Sequence, residues 1–146
     1  MRTFSISVDI AAPPARVFDV MADVERWSEW TASITRIEAL DGPELAVGKR
    51  YAIKQPRLPR LVWTVSALDP GAGWTWQQGS PGGLTLGVHE VVAVSPERTL
   101  VRQRIDQRGP VGTLVGVLMR GVTRRYLALE AEGLKARCEH RFAPPA

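Results

Sequence analysis

Phe4, Ile6, Val8 and Ile10 alternate with Ser5, Ser7 and Asp9, the two-residue period of a strand with one buried face. Ala11-Ala12-Pro13-Pro14 ends that strand. Proline is favoured at the first helical position, and residues 15–22 follow with Val17, Phe18 and Met21 on one side of a predicted short helix. Asp23 is suited to cap a second short helix over residues 24–29 that carries Trp27, with Trp30 at its end. From residue 34 the pattern is β again. Strands are predicted over 34–40, 49–55, 61–68, 74–78, 84–94 and 99–107. Proline and glycine clusters such as Asp41-Gly42-Pro43, Asp69-Pro70-Gly71 and Gly79-Ser80-Pro81-Gly82-Gly83 separate them. Connections this short favour antiparallel neighbours.

Residues 111–138 contain no proline and read as one long helix, extending roughly 40 Å at ~1.5 Å per residue. Projected at 100° per residue, Val111, Leu114, Val115, Leu118, Val122, Leu129 and Ala136 form an apolar stripe that needs a partner surface. Arg125 falls inside the stripe; Leu127, Leu134 and Cys138 fall on the other side. Gly112, Gly116 and Gly121 weaken the helix by about 1 kcal/mol each relative to alanine, so its first half needs packing support. The order is therefore strand, two short helices, six strands, long helix. Such a sheet curls around its helix, and small helix residues leave a hollow, expected at roughly 300–1,000 Å³.

The 146 residues are read as one domain, 1–146, large enough for a core without staples. No apolar run approaches the roughly 18 residues of a membrane span, and the first residues lack a continuous apolar signal core. A cytoplasmic protein is expected. The net charge of +4 comes from sixteen arginines and three lysines scattered along the chain, against fifteen acidic residues. No basic face with interleaved aromatics and no nucleic-acid motif appears, so nucleic acid is not expected as a partner. Cys138 is the only cysteine, and His140 the only histidine besides His89. Neither a disulfide nor a metal site is expected, and no cofactor motif is present.

Several of these residues together resemble a known family. Ile10-Ala11-Ala12-Pro13-Pro14, Val17-Phe18, Asp23, Trp27 and Trp30 are similar to the opening of the polyketide cyclase/dehydrase-like branch of the SRPBCC (START, birch-pollen-allergen-like) superfamily. Trp76 before Ser80-Pro81-Gly82-Gly83, then His89, Thr99, Gly109-Pro110 and Leu134-Lys135-Ala136-Arg137, continue the likeness. The resemblance implies an α+β helix-grip fold, in which a seven-stranded antiparallel sheet curls around a long C-terminal helix. It implies an apolar cavity, without naming the occupant.

Within residues 84–94 the phase of Leu86, Val88, Glu90 and Val92 is the more apolar, which alone would turn Glu90 inward. The resemblance instead implies that the phase of His89 lines the cavity. A histidine there could move a proton near neutral pH, as ring closure of a polyketide requires. The plain alternative is a hydrogen-bonded core histidine, the more economical reading because no second acid or base pairs with it in the sequence. Arg125 must pair with an acid such as Glu90, Asp106 or Glu132, snorkel to the edge, or hold a carbonyl or anionic group of a ligand. Gln103 is a softer polar candidate. Trp30 and Trp76 are the expected cavity walls, with core use of each tryptophan as the default. Ligand contact is thus expected from Trp30, Trp63, Trp76, His89, Gln103, Leu118, Met119, Val122 and Arg125. Residues 56–60 read as a lid or a plain proline-stiffened turn.

The leading expectation is a binder of an apolar, aromatic or polyketide-like small molecule between sheet and helix. The alternative is an enzyme of cyclase/dehydratase type, with His89 as acid–base and Arg125 on a carbonyl oxygen; catalysis itself is left open. A protein-interaction module is a third class, and Leu127 with Leu134 could support a homodimer.

Overall fold

A computed structural model describes residues 2–142. Strand β1 (Arg2–Ile10) leads into helix α1 (Pro14–Ala22) and a 3-10 helix (Val24–Glu29). Then come β2 (Arg36–Ala39), β3 (Arg50–Lys54), β4 (Leu61–Asp69), β5 (Gly73–Ser80), β6 (Gly83–Ser95) and β7 (Arg98–Arg108). Helices α2 (Gly109–Leu118) and α3 (Arg120–Phe142) follow. The seven strands form one antiparallel sheet in the order β1-β7-β6-β5-β4-β3-β2. This is the helix-grip arrangement that the resemblance implies. Strands β5 and β6 reach further than their sequence pattern, because Gly79 and Ser80 stay paired with Leu84 and Gly83 and the turn shrinks to Pro81-Gly82.

Inward phases along the strands build the core. Phe4 and Ile10 of β1, Tyr51 and Ile53 of β3, Trp63 and Val65 of β4, and Trp74 and Trp76 of β5 are all buried. Burying each such side chain contributes about 1.5–3 kcal/mol. Val17, Val20 and Met21 of α1 close one end of the core, and Trp27 fills its centre, its indole N–H donating to the Met21 carbonyl at 2.8 Å. Asp23 occupies the cap position of the 3-10 helix but makes no side-chain cap bond; its carboxylate pairs with Arg26 at 3.2 Å instead.

The long helix departs from expectation twice. It breaks at Met119 into α2 and α3, and its buried face is not the apolar stripe. Gly112 and Gly116 of α2 face the sheet, while Val111, Leu114, Val115 and Leu118 are exposed. In α3 the buried positions are Tyr126, Leu127, Ala131, Leu134 and Cys138. The reason is close approach. A Cβ at Gly116 would stand 2.3 Å from Gln107 Oε1, and one at Gly133 only 1.8 Å from the Trp30 carbonyl oxygen. Gly112, Gly116 and Gly133 therefore mark where this rod touches its neighbours. Leu127 and Leu134, expected outside as a dimer surface, lie in the interior, and Cys138 is buried there with them.

Candidate functional site

Between the inner face of β4–β7 and the junction of α2 with α3 lies a cavity of about 160 Å³. The sheet supplies Leu61, Trp63, Gln78, Thr85, Ile105 and Gln107 to its wall. Helix residues Val115, Met119, Val122, Thr123, Tyr126, Leu127 and Glu130 form the opposite side. Gln55 and Leu58, from the loop between β3 and β4, cover it. That loop is tied down: the Tyr126 hydroxyl donates to the Pro56 carbonyl, and Lys54 Nζ donates to the carbonyls of Gln55, at 2.8 Å, and Leu58. Arg57 takes a left-handed backbone conformation, φ 67°, to turn the chain there. The volume is below the expected range, because the glycine face lets the helix settle close to the sheet.

Glu130 is the carboxyl of this wall. Ser33 Oγ donates to its Oε1 at 3.2 Å, and Ser33 shares a 2.8 Å hydroxyl–hydroxyl bond with Thr31. Burial pushes the Glu130 carboxyl up to about 7, with the Ser33 bond opposing it. Desolvation disfavours the charged form, and no cation among the described residues bonds to this carboxylate. Near neutral pH both protonation states are populated. Glu130 can therefore accept a hydrogen bond, donate one, or pass a proton. The apolar pattern of the sequence does not mark it. Its signal is the spacing Met119, Val122, Tyr126, Glu130, a run of i+3 and i+4 steps along one helix face.

The sequence over residues 1–139 matches the family described as polyketide cyclase / dehydrase and lipid transport. The chain belongs to that family. No curated protein matches the sequence. Solved structures with the same fold include an aromatase/cyclase from a Streptomyces species, with TM-score 0.75 and 20% identity over 97% of this chain and 96% of that one. A START superfamily protein from Mycobacterium smegmatis gives 0.70 and 18% over 94% and 99%. The di-domain aromatase/cyclase BexL of the BE-7585A biosynthetic pathway gives 0.72 and 21%; this chain is covered to 99% but spans only 48% of that longer one. Membership in the polyketide cyclase / dehydrase and lipid transport family supports reading the cavity as a site for an apolar small molecule.

Of the residues singled out from sequence, Trp63, Met119 and Val122 line the cavity of this family member. His89 faces inward, as the resemblance implies, but into the aromatic core and not the cavity wall. Its ring stacks on Trp74 with centroids 4.4 Å apart and 20° between planes, and meets Trp27 and Trp76 edge-on. Nδ1 lies 3.3 Å from the Trp74 carbonyl, and burial holds the imidazole down to about 4, so it is neutral near pH 7. Trp76 is buried in the same cluster, its indole lying over Gly87, where a Cβ would stand 2.7 Å from Nε1. Gln103, opposite His89 in the ladder, is buried with Oε1 unpartnered. Trp30 packs on Trp27 beside a polar surface depression formed with Arg16, Asp19 and Arg137. Two further candidates face water, away from the cavity wall. Leu118 is 72% exposed, and Arg125 lies on the outer face of α3. Both belong to the part of the stripe that faces water, whereas Val115 and Val122 of the same stripe reach the cavity.

Proposed function

We propose that the chain binds a small, largely apolar ring compound in this cavity, with a polar edge turned toward Glu130. The observation that carries the reading is a largely apolar cavity wall with one carboxyl, that of Glu130, set into it and bonded to Ser33. Size supports it. An apolar cavity of roughly 150 Å³ takes up benzene, and this one measures about 160 Å³. It suits one ring, or two with slight yielding of Leu58, and is too small for a long folded polyketide unless the loop moves. A ligand hydroxyl donates to ionised Glu130, and a carbonyl oxygen accepts from its protonated form. A cytoplasmic setting, expected from sequence, is part of this reading.

An enzyme of cyclase/dehydratase type is the second reading, and the same carboxyl favours it. A group ionising near neutral pH can protonate a carbonyl oxygen and remove a proton from a neighbouring carbon. Glu130 then takes the role that the sequence suggests for His89.

Fluorescence titration with 1-naphthol tests the binding reading. Saturable binding, weakened about tenfold or more by Ile105→Trp in protein with unchanged circular dichroism, supports it. Absence of saturation, or an Ile105→Trp variant binding as well as the parent, overturns it. The enzyme reading further requires turnover whose rate follows one ionisation near pH 7 that Glu130→Gln removes.

A further inference from the structure

Helix α2, with the sequence GPVGTLVGVL, carries no charged side chain, yet most of it faces water. Five of the eight exposed large apolar side chains in the described residues belong to it: Val111, Leu114, Val115, Val117 and Leu118. Leu114 is 58% exposed and Leu118 is 72% exposed. Contiguous apolar surface of this kind marks an interaction site in a soluble domain. The charges that flank it along the chain have one sign. Across residues 108–129 the charged side chains are Arg108, Arg120, Arg124 and Arg125, and no acid interrupts them. The loop on the other side of the cavity adds exposed Arg57 and Arg60. Among the described residues none of Arg57, Arg60, Arg108, Arg120 and Arg125 forms an ion pair.

We infer that α2 and its flanking arginines dock on the surface of an anionic lipid bilayer. Apolar side chains standing out from a helix, ringed by arginines, match an interface with an acyl boundary below and negative headgroups around it. A second copy of this chain fits less well, because a twofold contact through the same face sets arginines against arginines. Among the described residues no helix is long and apolar enough to cross a membrane, so the contact is peripheral. Val115 belongs both to this face and to the cavity wall, and Met119 of that wall follows α2 directly, so docking brings the cavity to the lipid surface. The inference stands on α2 and the arginines and does not depend on what the cavity holds.

Co-sedimentation with vesicles of equimolar phosphatidylcholine and phosphatidylglycerol tests it, against vesicles of phosphatidylcholine alone. The protein is expected to pellet with the anionic vesicles and to be released by high salt. Leu114→Ser with Leu118→Ser, and separately Arg108→Ser with Arg120→Ser, should each weaken that binding about tenfold while 1-naphthol binding persists. Val94→Ser, at an exposed apolar position away from α2, should leave it unchanged. The inference is overturned by no pelleting with either vesicle, by equal binding to both, by insensitivity to the leucine changes, or by an equal loss with Val94→Ser. A dimer in sedimentation equilibrium that the leucine changes dissolve would assign the face to a second copy instead.

Discussion

Ser33 Oγ reaches across from the segment after the 3-10 helix to donate to Glu130 Oε1 on α3, at 3.2 Å. This bond favours the ionised carboxylate but is outweighed by burial, which leaves Glu130 pushed up to about 7 from an ordinary 4.5. His89 is displaced the other way, down to about 4 from 6.5.

The two groups oppose each other in the pH dependence of stability. Between 4.5 and 7 the folded chain holds the Glu130 proton more tightly than the unfolded chain, so this group's contribution is full below 4.5 and is lost as pH rises through 7. His89 contributes stability above 6.5 that is lost as pH falls through 4. Each slope approaches about 1.4 kcal/mol per pH unit in the overlap, with opposite sign. Urea unfolding is therefore expected to give a shallow profile from pH 5 to 6 for these two groups combined. Glu130→Gln should expose a fall toward acid, and His89→Phe a fall toward alkali. Parallel profiles in all three proteins would refute the assignment.

Helix glycines should respond to alanine with opposite signs. At Gly133 a Cβ would stand 1.8 Å from the Trp30 carbonyl oxygen, a backbone atom that cannot swing aside. Gly133→Ala should cost about 1–3 kcal/mol despite its better helix propensity. At Gly121 a Cβ would meet nothing within 4 Å, so Gly121→Ala should gain about 0.5–1 kcal/mol. Thermal unfolding of both variants reads the difference directly.

Tyr126→Phe removes the hydroxyl that holds the Pro56 carbonyl and keeps the ring that packs on the wall. A loss of about 0.5–1.5 kcal/mol in stability is expected. If residues 55–60 gate the cavity, stopped-flow release of 1-naphthol should be faster in the variant with little change in its association rate. An unchanged release rate would make that loop a plain turn.

Period-two alternation makes β1 legible because it buries one face: Phe4, Ile6, Val8 and Ile10 point the same way in sequence and in space. The short-helix opening is equally readable from Pro14 and the spacing of Val17 and Met21. The helix face is not. Apolar content points to Leu114 and Leu118, whereas Gly112 and Gly116 face the sheet; a Cβ at Gly116 would meet the side chains of Gln107 and Arg2, and Gly112 lies against the backbone of residues 83–84 and 107. The same rotation hides Glu130 and brings Arg125 forward. His89 is readable as an inward residue, but sequence carries no measure of how far along β6 the cavity ends and the tryptophan cluster begins.

Strand β1 pairs along its whole length with β7, Arg2 opposite Gln107 and Ile10 opposite Thr99. Strand β1 thus has no ladder partner until residues 99–107 of β7 have been synthesised. On the ribosome this segment must wait for all of β2 to β6 to be made before its hydrogen bonds can close. Ring closure between the earliest and latest strands, and not the hairpins between β4 and β7, is then the step that limits how soon the nascent chain becomes resistant to proteases.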